Sequence, residues 1–196
     1  LFHGHLQKQA LAHEDGFAAF WKPVEHVLRS ADIAYANLEG PAARNVMAGG
    51  RDRGGKVDGS ARVYDRAVYA GGEDDVLVFN FHPSAVADAK AGGFTVLSTA
   101  NNHSADRGSL GIERTIEALE AAGMPFTGTR TRAARDEGRP WRSVTRARGF
   151  SVAWIACTFS LNGLPDRERL VLGCYARDGA PAEEVLAEIR AAAAEP

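Results

Sequence analysis

The chain is poor in several residues that would narrow its class. It has only 2 Cys in 196 residues, Cys157 and Cys174, far apart and without metal-like spacing, so neither a cysteine-rich scaffold nor a zinc pair is indicated. Cys157 lies in an apolar strand-like run and reads as core. A disulfide with Cys174 is the alternative, and the redox setting stays open. No apolar run has transmembrane length, and no secretory leader is recognisable. The net charge of −2 gives no general attraction to nucleic acid or anionic membranes, and no nucleic-acid partner is expected. A Gly-rich dinucleotide loop, an internal repeat and a clustered aromatic platform are also missing.

What is present describes one ordinary domain. Its length falls within the usual range for a single domain, and 45% hydrophobic residues are enough for a core. The chain begins at Leu1, in what reads as the tail of a strand, and stops at Pro196 after a helix that should feed a further strand. The expectation is therefore an incomplete portion of a larger domain.

Hydrophobic spacing predicts helices over residues 17–29, 84–91, 109–122 and 181–194. The third has Leu110, Ile112, Ile116 and Leu119 facing inward, and the last opens with Pro181, Glu183 and Glu184. Strands are predicted over 31–38, 76–79, 94–97 and 124–127, with a weaker one at 61–64. Residues 130–137 read as a short polar helix or loop. A hairpin is expected from 141–145 and 150–158, joined by Arg146-Ala147-Arg148-Gly149 with Gly at the turn. Residues 42–75 are the least regular, with Arg44, Arg51, Arg53, Lys56, Arg62 and Arg66 interspersed among glycines. Those cations could hold an anionic substrate, although a solvated loop is the simpler reading. Strands alternating with helices and ending in a hairpin predict an α/β fold: a layered sandwich with a mostly parallel or mixed sheet.

Two polar clusters follow predicted buried strands, where α/β folds place ligands. The first is Asn37-Leu38-Glu39-Gly40-Pro41. Its amide and carboxylate, two residues apart, would share a face of an extended strand. The second is Asn101-Asn102-His103-Ser104-Ala105-Asp106-Arg107-Gly108, whose oxygen and nitrogen donors suit a metal or phosphate site. An ordinary polar turn, with Asn101 or Asn102 left-handed and Asp106 supporting the loop, is the competing reading. On neighbouring strands the two clusters would bring Glu39, Asn102 and His103 to one rim.

Together and in this order, the segments 32–41 and 93–108 resemble the poly-γ-glutamate capsule-synthesis (CapA-type) family of the calcineurin-like metallophosphoesterase superfamily. The similar run extends through Gly111, Thr115, Leu119, Gly123, Gly128, Ala134-Arg135, residues 149–156 and the Thr158…Asn162-Gly163 loop. The resemblance implies a metallophosphoesterase-type α/β sandwich of which the chain is an N-terminal portion, with two divalent cations (Mn, Fe or Zn) about 3.5–4 Å apart. It gives Glu39, Asn102 and His103 as metal ligands and His103 and Asp106 as catalytic residues, with Asp106 orienting His103. Asn37, Asn101 and His5 become candidate substrate or support residues. A first Gly-Asp ligand pair would precede Leu1, and later histidine motifs would follow Pro196. Either His3 or His5, close to that missing aspartate, could be a ligand, although both read more simply as surface or substrate-facing, and His82-Pro83 as a structural turn.

The implied function is metal-dependent hydrolysis of a phosphoester or processing of an anionic polymer in capsule biosynthesis. The alternative is a non-catalytic, polyanion-binding component of a polyglutamate synthesis complex. An extracytoplasmic or membrane-associated setting rests on the resemblance alone.

Overall fold

A computed structural model describes residues 2–54, 62–69, 71, 77–175 and 182–194. Three short strands, β1 (Tyr35–Asn37), β4 (Val96–Ser98) and β5 (Phe126–Thr127), form a parallel sheet in the order β1-β4-β5. Between β1 and β4 lie the two-residue strands β2 (Val46–Met47) and β3 (Arg51–Asp52), which pair antiparallel, and helix α3 (Ser84–Ala91). Helix α4 (Gly108–Ala121) connects β4 to β5, as parallel strands require. After helix α5 (Arg132–Asp136), strands β6 (Ser143–Ala147) and β7 (Phe150–Trp154) form the expected hairpin. Arg148 at φ +49° and Gly149 at φ +83° make its two-residue turn, the left-handed pair that matches strand twist. Helix α6 (Glu183–Ala194) completes the described chain, and its predicted first residue, Pro181, lies outside the described residues. The architecture is the α/β sandwich expected from the alternation of elements.

The core explains which predicted elements formed. On α4, Ile112, Ile116 and Leu119 are buried one helical turn apart. Leu119 joins Phe17, Phe79, Phe81, Val86 and Leu97 in the main cluster, whereas Ile112 and Ile116 pack with Ala100, Leu170 and Val171. Each such side chain contributes about 1.5–3 kcal/mol on burial.

The helix predicted over 17–29 is instead two 3₁₀ turns, Gly16–Phe20 and Lys22–Val24, followed by α2 (Glu25–Ser30). Pro23 lacks an N–H and blocks a continuous helix. Phe17 is fully buried while Phe20, Val24 and Val27 are exposed, so the apolar spacing does not form one inward face.

The start of the chain is not a strand tail: His3 leads directly into helix α1 (Gly4–Ala12), with Leu1 outside the described residues. Its inward face is Gln7 with Ala10 and Leu11, and pattern reading misses the glutamine. Gln7 Nε2 donates to the carbonyls of Phe2 (3.3 Å) and Asn80 (3.1 Å), and Oε1 accepts from His82 N–H at 3.0 Å.

Residues 77–79 are likewise not a strand, and Val76 lies outside the described residues. Phe79 N–H donates to Asp106 Oδ2 at 2.7 Å and Phe81 N–H to Pro41 O at 2.7 Å, so neither enters a sheet ladder. Residues 62–64 are not extended into a strand either, and Ala61 falls outside the description.

Cys157 and Cys174 form a disulfide, in place of Cys157 as a free core residue. The segment it closes is tied into the β5 side of the molecule. Arg130 N–H donates to Leu170 O and Leu172 N–H to Gly128 O, both at 2.9 Å, and Leu170 and Leu172 are fully buried.

Candidate functional site

The carboxyl ends of β1 and β4 form one rim because the two strands are paired in parallel register, Asn37 opposite Ser98. This brings the two polar clusters together. Asn101 Nδ2 donates to Asn37 Oδ1 (3.1 Å) and to Leu38 O (2.8 Å). Asn37 Oδ1 also accepts from Ser98 Oγ at 3.1 Å, and Ser98 Oγ lies 2.8 Å from the Tyr35 hydroxyl. Asn101 Oδ1 then accepts the His103 N–H at 3.0 Å. A chain of hydrogen bonds therefore runs from Tyr35 to the backbone of His103. Ser104 Oγ closes the turn, donating to Thr99 O (2.6 Å) and accepting from Asn101 N–H (2.8 Å). Neither Asn101 nor Asn102 is left-handed; Asn101 reaches its partners by its side chain, not by strained backbone.

His103 is buried, and its Nδ1 lies 2.9 Å from Asp106 Oδ2, the oxygen that also accepts the Phe79 N–H. When Asp106 is ionised this oxygen can only accept, and the shared proton then sits on His103 Nδ1. The Nε2 lone pair is left to bind. The Phe79 ring packs edge-on against His103 at 4.7 Å and against His3 at 5.7 Å. Burial pushes the Asp106 carboxyl above the usual aspartate range, opposed by its bonds from Phe79 and His103. Its Oδ1 is buried without a partner among the described residues, as is the neighbouring Arg107 Nε. Burial lowers the Arg107 guanidinium, and the adjacent Asp106 charge opposes this.

The remaining predicted residues are placed differently. Asn102 lies half-buried, and its Nδ2 donates to Asn162 Oδ1 at 3.3 Å. Glu39 is half-buried on the rim and makes no hydrogen bond or ion pair with another described residue. The strand ends at Asn37, so the alternation expected to carry Glu39 to Asn37's face stops short of it. His5 is exposed on α1, whereas His3 is the early histidine that reaches the Phe79–His103 stack. His82 is buried at its turn, with Nδ1 2.9 Å from Ser84 Oγ. Sequence reading named neither Phe79 nor Ser98 for the site, and Asn162 only within the similar run. Only the Asn-Gly dipeptide at 162–163 carried a local signal, that of a turn.

The irregular basic segment is partly neutralised by its own fold. Arg53 pairs with Asp65, and Arg62 with the buried Asp88 at 2.5 Å. Arg114 of α4 pairs with Asp52 of β3 at 2.5 Å.

The donor chemistry of the rim fits a divalent cation in kind: an imidazole held through Nδ1, an amide whose nitrogen is engaged elsewhere, and a carboxylate without a partner among the described residues. These side chains do not complete a coordination shell. Among the described residues, no group of three or more His, Cys, Asp or Glu is clustered as a metal site.

A layered α/β sandwich with a buried His–Asp pair at the carboxyl ends of its parallel strands defines the class. Within that class, the family described as bacterial capsule synthesis protein PGA_cap matches residues 1–195, and the chain belongs to it. This family is of the same fold type and links the chain to capsule synthesis. No curated protein matches the chain.

Proposed function

We propose that this chain contributes to capsule synthesis as a metal-dependent phosphoester hydrolase, with its reactive groups on the β1–β4 rim. The observation that carries the reading is the His103–Asp106 pair. A buried carboxylate holds Nδ1–H and leaves Nε2 as a neutral donor, the arrangement that fixes a metal-binding or proton-transferring imidazole. Glu39, Asn102 and His103 would hold the cations. Divalent cations bound there would supply Lewis-acid polarisation of a phosphoryl oxygen and an activated water. The chain's own groups do the positioning: Asp106 fixes the tautomer and ring plane of His103, and Phe79 walls one side of the imidazole. Asn101, anchored to Asn37 and Leu38, sets the backbone on which His103 rides.

The ion pairs of Arg53 and Arg62 weigh against the irregular basic segment as the main holder of a polyanion. The test is hydrolysis of p-nitrophenyl phosphate by the purified protein with Mn²⁺ or EDTA. Turnover that needs Mn²⁺ supports the reading. Turnover unchanged by EDTA, or none with any of Mn²⁺, Fe²⁺ and Zn²⁺, would overturn it.

A further inference from the structure

The geometry points to Asn162 as a positioning residue for Asn102, presented by a cross-linked loop, an inference that rests on Asn102 being a cation ligand as proposed above. The contact spans 60 residues of sequence, Asn102 Nδ2 to Asn162 Oδ1 at 3.3 Å. Engaging the nitrogen arm of the amide fixes which arm is left for a cation: the oxygen, the only one of the two that can ligate. Partners that fix a ligand's orientation in this way tune metal affinity strongly.

The loop is built to present that oxygen. Asn162 (φ +52°) and Gly163 (φ +78°) are both left-handed, and Leu164 N–H donates to Leu161 O at 2.9 Å, which makes a tight two-residue turn. Asparagine tolerates this backbone better than other non-glycine residues and still carries an acceptor. The turn is held from behind. Asp166 accepts the N–H groups of Leu170 (3.1 Å) and Val171 (2.8 Å). Thr158 N–H donates to Leu172 O and Cys174 N–H to Thr158 O, both at 2.9 Å. The Cys157–Cys174 disulfide closes the base. An exposed asparagine is thus carried on a loop anchored at both ends, and its acceptor meets the half-buried amide of the rim.

The test uses Asn162→Gly, which keeps the left-handed backbone and removes only the acceptor, with Asn162→Asp as the rescue that restores an acceptor oxygen. Two readouts are taken on the metal-free and Mn²⁺-titrated protein: the Asn102 side-chain amide signal in a ¹⁵N spectrum, assigned by its loss in Asn102→Ala, and the Mn²⁺ dissociation constant. Asn162→Gly is expected to shift the Asn102 amide signal and weaken Mn²⁺ binding by about 10–100-fold, with Asn162→Asp restoring both. An Asn102 signal unmoved in Asn162→Gly overturns the inference, as does a moved signal with Mn²⁺ affinity unchanged while Asn102→Ala abolishes binding. If Asn102→Ala binds Mn²⁺ as well as wild type, the cation reading of the rim fails instead, and the amide signal still decides whether Asn162 positions Asn102.

Discussion

Replacing Asp106 tests how the rim is held together. One carboxylate oxygen accepts two donors, the Phe79 N–H at 2.7 Å and the His103 Nδ1–H at 2.9 Å, inside the protein. Asp106→Ala leaves both without an acceptor, at about 1–3 kcal/mol for each buried donor. Removing a desolvated carboxylate returns part of this, because burial already works against its charge. The net expectation is a loss of about 2–4 kcal/mol. Asp106→Asn keeps an acceptor oxygen of the same shape and gives up charge assistance, so its cost is about 1 kcal/mol at neutral pH.

The pH dependence has a definite sign. A carboxyl whose folded pKa lies above the ordinary value near 3.8 binds its proton more readily in the native state. Stability therefore falls as pH rises from that ordinary value through the folded pKa. Below the window the group is protonated in both states and contributes nothing; above it the full cost of the buried charge is present. Asp106→Asn cannot titrate, so wild type should gain on it as pH is lowered through the window. Urea unfolding followed by tryptophan fluorescence at several pH values measures both effects. Equal stability of Asp106→Ala and Asp106→Asn, or a gain of wild type on Asp106→Asn as pH rises, would show that this carboxylate does not hold the rim in the way its contacts indicate.

Two further predictions concern the frame behind the rim. Gly128→Ala should cost about 2–3 kcal/mol, because Gly128 sits at φ +105° and a Cβ there would lie 2.5 Å from Ala100 Cβ; thermal melting within a degree of wild type would contradict this. Cys157→Ser with Cys174→Ser should cost about 3 kcal/mol for opening the cross-linked segment. Thiol labelling of unreduced wild-type protein should find no free cysteine, and rapid labelling at both positions would remove the basis of that figure.

The sequence was most legible where a single local signal dominated. Helices α3 and α4 stand close to their predicted limits because helical spacing, terminal glycines and burial agree. The hairpin of β6 and β7 was legible from the glycine at its turn, but Arg146 and Ala147, read as part of the connection, belong to β6, and β7 ends at Trp154 instead of 158. Pattern reading failed where tertiary hydrogen bonds outvoted it. Helix α1 buries Gln7 where an apolar residue would be sought, and residues 77–79 surrender a backbone donor to Asp106, 27 positions away. That the two polar clusters share one rim was readable from their places after predicted strands; that Asn37 and Asn101 make the contact was not, and β1 is largely exposed where a buried strand was expected. That His3 and not His5 reaches Phe79, or that Asn162 meets Asn102, depends on contacts with no local trace in sequence.

The proposed chemistry depends on Nε2 of a carboxylate-held His103 binding a cation that acts on a phosphoester. The most direct measurement compares Mn²⁺-dependent kcat for p-nitrophenyl phosphate between wild type and His103→Ala, with folding checked by circular dichroism. A loss of at least about 10²-fold is expected in the folded variant, since even a partner that only orients a metal ligand is worth about 10–100-fold. A folded His103→Ala protein that turns over at the wild-type rate would contradict it.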